Sequence, residues 1–384
     1  MKSLKVLITN FALRERTGTE MYAFDLARGL LASGHSPVLY SPRPGALAAK
    51  IRKETVPVVS DLDGLGPPDI IHGQHADETV TALLRYPRTP AVYVCHDWYL
   101  SMDTPPRFPR VLRYVAVDSA CRDKLVVEHG VPEGRVSVLL QSVDLERFRP
   151  RPPLPARPRR ALILCNQTRE DAYLVAARAA CARAGVALDV YGLGVGRACE
   201  RPEELLTGYD VVFAKGRAAL EALAVGASTV VYYWRRLGPL VTPDGLGRLR
   251  RDNFGMRAMG AQLTPEEFGR GVEEALGRYD AGEAARVSAV VRAEAGRERL
   301  VAEFVSLYES VVAEHAAAPG RDEEAEARAA AAYLRALSLS KAREYDALQD
   351  SATFRLRERL LRVPLVGGAA RALARAAAGA RRGG

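Results

Sequence analysis

The stretch Tyr209–Tyr233, YDVVFAKGRAALEALAVGASTVVYY, holds a complete folding unit. Asp210 to Ala214 reads as a strand and Lys215-Gly216-Arg217 as a short cationic loop. The Ala-rich run that follows reads as a helix, which Gly226 ends before a second strand. Glu221 stands in that apolar helix four residues after Arg217, so both side chains project from one face. Unpaired amides at the helix N-terminus, beside Lys215, Gly216 and Arg217, suit a diphosphate. A carboxylate one turn deeper is an acceptor suited to a vicinal diol such as a ribose. The same residues equally describe a surface helix with an internal Arg–Glu pair.

Outward from this unit, the same alternation recurs. KVLITNF, SPVLYSP, DIIHGQH, TPAVYVCHD, RYVAVD and RVSVLLQSV are strand candidates, and helical segments such as GTEMYAFDLARGLLASG lie among them. At RFRPRPPLPARPRR the composition changes to prolines among arginines, a stiff linker. The rhythm restarts at ALILCNQ, with a helix through Tyr173 to Gly185 and a strand at ALDVY. The expected class is α/β: two doubly wound Rossmann-like domains with parallel sheets and a ligand cleft between strand C-termini. Residues 1–149 form the first domain, 150–160 the linker, and 161–318 the second domain with closing helices. Residues 319–384 form a helical basic tail.

Composition excludes several classes. No apolar run spans a bilayer and MKSLKVLITNF lacks the marks of a signal peptide, so a cytoplasmic protein is expected. Five scattered cysteines without CxxC spacing argue against a zinc site or a disulfide frame. The net charge is +9, but residues 351–384 alone hold eight arginines against Glu358. A basic balance confined to one tail argues against a nucleic-acid-binding core. That tail interleaves its arginines with Phe354, Leu356, Leu360, Leu361 and Leu365, a pattern suited to the anionic inner face of a membrane. Pro364 and Gly367-Gly368 interrupt it, and a partner-binding or disordered tail is the plain alternative.

In order and spacing, these segments resemble a GT-B-fold glycosyltransferase, nearest to glycosyltransferase family 4. VAVDSACRDKLVVEHGVPEGRVSVLLQSVDLERFRPR is similar to the family's domain-crossing signature, and RTGTE (Arg16 to Glu20) to its glycine-rich first turn. YDVVFAKGRAALEALAVG falls where the family carries two glutamates separated by seven residues. The resemblance gives Glu221 the second of these, the ribose ligand, and puts Phe213 in place of the first. Phenylalanine cannot accept a hydrogen bond from a sugar hydroxyl, so the chain is a divergent member. By the same resemblance, Gly18, Thr19 and Glu20 lie near the reacting sugar and His96 faces it.

The remaining candidates are weighed on their own residues. His96 follows a buried strand in VYVCHDW; it either serves the reacting sugar or caps a strand end. One of His72 and His75 is expected to line the cleft, and neither has the further ligands of a metal site. The DLD of Asp61–Asp63 sits in a Gly/Pro-rich loop, and no metal or other cofactor is expected. GLGVG (Gly192 to Gly196) lacks the full dinucleotide spacing, and its Gly192 and Gly194 are read as a tight turn near the base. Gly238 and Thr242 are read as contacts in a loop over the donor. The resulting expectation is metal-independent, retaining transfer from a nucleotide-sugar donor to a glycan or lipid-linked acceptor. The alternatives are a nucleotide-sugar epimerase of the same fold and a non-catalytic nucleotide-sugar-binding protein.

Overall fold

The computed structural model describes residues 3–318, 320 and 322–362. The first half runs β1 (Lys5–Thr9), α1 (Gly18–Ala32), β2 (Ser36–Tyr40), α2 (Ala46–Lys53), β3 (Val58–Val59), β4 (Ile70–Gln74), α3 (Ala76–Arg85), β5 (Ala91–Cys95), β6 (Val111–Ala116), α4 (Ser119–Asp123) and β7 (Val136–Val138). The second runs β8 (Arg160–Leu164), α5 (Ala172–Arg183), β9 (Ala187–Tyr191), α6 (Pro202–Leu205), β10 (Val211–Ala214), α7 (Gly216–Val225), β11 (Ser228–Tyr233) and β12 (Arg236–Leu240). Helices α8 (Pro243–Arg251), α9 (Pro265–Gly277), α10 (Ala281–Glu294) and α11 (Arg297–Ala317) follow. Beyond them come α12 (Glu323–Asp350) and α13 (Ala352–Arg362).

The seven strands of the first half form a wholly parallel sheet in the order β3-β2-β1-β4-β5-β6-β7. The second sheet is β12-β11-β10-β8-β9, parallel except for β12, which pairs antiparallel with β11. Both are doubly wound, with strand order reversing at β1/β4 and at β8/β10, where such sheets leave a crevice at the strand C-termini. Period-two alternation explains how the second sheet is covered on both faces. Val212 and Ala214 of β10 pack with Leu220 and Leu223 of α7. Val211 and Phe213 face the other way, with Leu174 of α5 and Phe268 of α9.

Two features depart from the reading of the sequence. The segment taken for a loop over a donor forms β12, with Gly238 inside it. Gly238 is there because a Cβ would lie 2.9 Å from Val231 Cβ and 3.0 Å from the Ala258 carbonyl. Helix α11, grouped with the second domain on sequence order, returns to the first sheet, where Tyr308 and Phe304 pack on His72 of β4.

The chain crosses between the halves twice, and the crossings lie side by side. Val143 N–H donates to the Ala295 carbonyl at 2.8 Å, and Arg297 N–H to the Val143 carbonyl at 3.0 Å. Asp144, 1% exposed, accepts from Arg297 at 2.6 Å and from Arg28 of α1 at 3.2 Å. One buried carboxylate with two guanidinium partners thus joins both crossings to the first helix. The residues through Arg321 form one compact unit and those from Asp322 a second, in which α12 is almost wholly exposed. Among the described residues, no helix is long and apolar enough to cross a membrane.

Candidate active site between the two sheets

Helix α7 carries the second half's contribution. Gly216 enters it at φ +54° and Gly226 closes it at φ +99°, left-handed conformations that favour glycine. Lys215 is its N-cap, and its ammonium lies 4.0 Å from the centre of the Tyr233 ring. Burial lowers the lysine pKa, and among the described residues no carboxylate pairs with it. The Gly216 amide is already used, donating to the Phe254 carbonyl at 3.3 Å.

Arg217 does not stand free for a diphosphate. Its Nε donates to Glu221 Oε1 at 2.7 Å, and its Nη2 donates to Asp25 Oδ2 of α1, across the cleft. Burial works against the arginine charge, but Asp25 and Glu221 outweigh it and hold the guanidinium firmly charged. Glu221 is 6% exposed, and burial raises its pKa against the pull of Arg217. The internal Arg–Glu pair therefore exists, but inside the protein and bound to the opposite half. Phe213 is 1% exposed in β10 and its ring packs against Tyr232, so it supplies core and no polar contact.

Other second-half candidates serve the fold. A Cβ on Gly192 would lie 2.0 Å from the Cys165 carbonyl, and one on Gly194 2.2 Å from that of Thr168. These glycines let the turn after β9 close on the turn after β8, where Gly194 N–H donates to the Asn166 carbonyl at 2.9 Å. Thr242 is the N-cap of α8, its hydroxyl accepting from Gly245 N–H at 3.3 Å.

Across the cleft, the turn Arg14–Thr17 leads into α1, whose first residues are Gly18 and Thr19. Glu20 is committed to this turn. Its oxygens accept from the backbone N–H of Arg14 at 2.8 Å, Glu15 at 3.2 Å and Thr17 at 3.0 Å. Its role is to shape the turn, leaving Gly18 at the surface with open space above it.

The histidines gather at the ends of β4 and β5. Register places His72 beside Val92 and Gln74 beside Val94, so His72, Gln74 and, two residues beyond Val94, His96 share the face covered by α1. Tyr22 of α1 touches both His72 and His96. His72 Nδ1 lies 2.6 Å from the Tyr308 hydroxyl, and His75 Nδ1 accepts from Phe11 N–H at 3.0 Å. Burial lowers all three, His72 to about 3, His75 to about 4 and His96 well below the usual value, so each is neutral at pH 7. His96 Nε2, Asn10 Oδ1 and both amide atoms of Gln74 are buried and have no hydrogen-bond partner among the described residues. A buried orphan costs about 1–3 kcal/mol, and several at one set of strand ends mark a place built for polar contacts.

Sequence reasoning missed Asn10, Gln74 and Asp25. An acid amid the apolar residues of α1 was a usable signal for Asp25; its partner 192 positions away was not. Asp61 accepts from Asp63 N–H at 2.9 Å within a loop, and no described group of His, Cys, Asp or Glu has the arrangement of a metal site. Cavities of about 410 and 290 Å³ flank the crossings, but neither is lined by Lys215, Glu221 or His96.

Comparison with known proteins agrees with this geometry. Residues 16–147 match the model of Glycosyltransferase Family 4. No curated protein matches the chain by sequence. Among solved structures, a glycosyltransferase from Rickettsia africae superposes with TM-score 0.57 at 12% identity, covering 81% of this chain and 99% of that one. HepE of Anabaena, solved with UDP and glucose, gives 0.56 at 13% identity, covering 80% and 100%. The catalytic domain of starch synthase IV from Arabidopsis thaliana, bound to ADP and acarbose, gives 0.53 at 12%, covering 81% and 100%. Two doubly wound sheets joined by paired crossings give this chain the GT-B fold, and residues 16–147 match the Glycosyltransferase Family 4 model.

Proposed function

We propose that the chain transfers a sugar from a nucleotide-sugar donor to a glycan or lipid-linked acceptor, with retention of configuration and without a metal ion. The observation that carries this reading is Lys215. Among the described residues it is a half-buried ammonium without a carboxylate partner, placed at the N-terminus of a ten-residue helix at the C-terminal edge of its sheet. Fixed charge and helix dipole converge there on one point, which suits the leaving diphosphate. Glu221, aligned by Arg217, is the acceptor for a ribose hydroxyl. Across the cleft, neutral His96 with Gln74 and Asn10 would take up the hydroxyls of the reacting sugar, replacing the missing glutamate that Phe213 displaces. Retention rests on the family resemblance. The arginine-rich segment 351–384 is the part suited to an anionic membrane surface, which would place the protein at the inner face of the membrane.

Incubation of the protein with UDP-, ADP- and GDP-sugars, followed by mass spectrometry and NMR of the products, tests the reading. Slow hydrolysis of one donor, or transfer to an added glycan, is expected. Interconverted sugar nucleotide would identify an epimerase, and binding without turnover a non-catalytic protein.

A further inference from the structure

Directly after His96, the loop to Asp103 exposes two neighbouring aromatic side chains, Trp98 at 46% and Tyr99 at 77%. Isolated apolar residues at a surface need no explanation, but these two are held in place. Asp97 Oδ1 accepts from the backbone N–H of Tyr99 at 2.6 Å and of Leu100 at 2.8 Å. From beneath, Lys124 Nζ donates to the carbonyls of Asp97 at 2.9 Å and Leu100 at 2.8 Å, gripping the loop on either side of the two rings. Lys124 is 4% exposed and opens a five-residue π-turn, Lys124–Glu128. Asp103, at the far end of the loop, is likewise buried. A buried ammonium, a buried carboxyl and a rare helical geometry are unusual beneath a surface loop, and such π-turns recur at functional sites.

The platform adjoins the cleft. His96 is its first residue, and the Asp97 carboxylate acts electrostatically on Lys215 and Tyr233 of the second half. The ring centroids of Trp98 and Tyr99 are 5.8 Å apart with planes inclined at 56°, a surface the width of one or two sugar rings. Rigid aromatic faces give large contact area at low entropic cost, and their polar tips tolerate water at the rim. The Asp97 carboxylate, bonded to the backbone of Tyr99 and Leu100, sets a negative charge beside the rings, which disfavours anionic lipid.

We infer that Trp98 and Tyr99 form the acceptor platform, stacking on a pyranose ring of a saccharide acceptor and presenting its hydroxyl to the cleft beside His96. The inference rests on the glycosyltransferase reading and narrows its acceptor to one that ends in sugar. Its test is 19F NMR of the full chain labelled with 5-fluorotryptophan, whose two signals, from Trp98 and Trp234, are assigned with Trp98→Phe. The probes are trisaccharides of glucose, mannose, galactose and N-acetylglucosamine at about 10 mM, a concentration matched to weak single-ring contacts, and separately phosphatidylglycerol vesicles. The Trp98 signal is expected to shift with at least one trisaccharide and not with vesicles. Kinetically, Trp98→Ala should raise the acceptor KM about tenfold while donor hydrolysis without acceptor stays at the wild-type rate, and Trp98→Phe should recover most of the loss. A signal that moves with vesicles only, or with no trisaccharide, overturns the inference, as does unaltered acceptor KM in Trp98→Ala. Absence of donor turnover in the wild type would instead refute the transferase reading, leaving the Trp98 shift to be judged by itself.

Discussion

At the scale of single residues, the charges of the cleft divide into those already paired and those that are not. Arg217 lies between Asp25 and Glu221 and is 13% exposed at its side chain, so its charge is satisfied within the protein. Among the described residues Lys215 has no ion-pair partner; the Tyr233 ring lies 4.0 Å away and Asp97 acts on it from further off. In sequence only the spacing to Glu221, four residues after Arg217, set the two apart. Removing Arg217 would leave two buried carboxylates facing each other without a counter-charge. Arg217→Leu should therefore cost about 3–5 kcal/mol of stability, measured by urea denaturation, and Asp25→Asn much less. Equal, small losses in both would show that the clamp is not formed. The Glu221–Arg217 pair was legible because four residues along a helix bring side chains together. Its burial and the Asp25 contact were not, because periodicity says nothing of what lies across a cleft.

Among the elements, the parallel strands were legible because strands buried on both faces are nearly continuous apolar runs. Strand β12 was not, since Gly238 and Pro239 disguise an antiparallel edge strand. Nor was the destination of α11, because an amphipathic helix does not encode which of two sheets it covers. The contact of α11 with β4 has a measurable pH dependence. His72 titrates near 6.5 when unfolded and at about 3 when buried against Tyr308 and Phe304. Below pH 6.5 the unfolded chain binds a proton that the folded one refuses, so stability is lost as the pH falls. From pH 6.5 to 5 this one histidine contributes a loss of about 2 kcal/mol. His75 adds to the loss, while Asp103 and Glu78, both raised to about 7 by burial, oppose it. His72→Gln keeps an acceptor for Tyr308 and does not titrate. Its melting temperature should fall less between pH 6.5 and 5 than that of the wild type. Parallel curves would show that His72 is not buried neutral.

For the molecule as a whole, two sheets joined by paired crossings account for a cleft with one kind of group on each side. The second half offers a cation at a helix N-terminus, and the first offers neutral hydrogen-bonding side chains and an aromatic loop. That division suits a substrate with a charged and a neutral end. Liposome flotation of the full chain and of a chain ending at Asp350 should differ if residues 351–384 bind anionic lipid; equal flotation removes the membrane proposal. The central claim is that Lys215 grips the donor diphosphate. Titration calorimetry of wild-type protein and Lys215→Ala with the nucleotide sugar that the wild type turns over tests it most directly. Loss of one charge-assisted contact of about 1.5–3 kcal/mol predicts affinity lower by about 10- to 100-fold in the variant, with a weaker dependence on salt. Unchanged affinity in Lys215→Ala, or a wild type that binds no nucleotide sugar, would contradict the account.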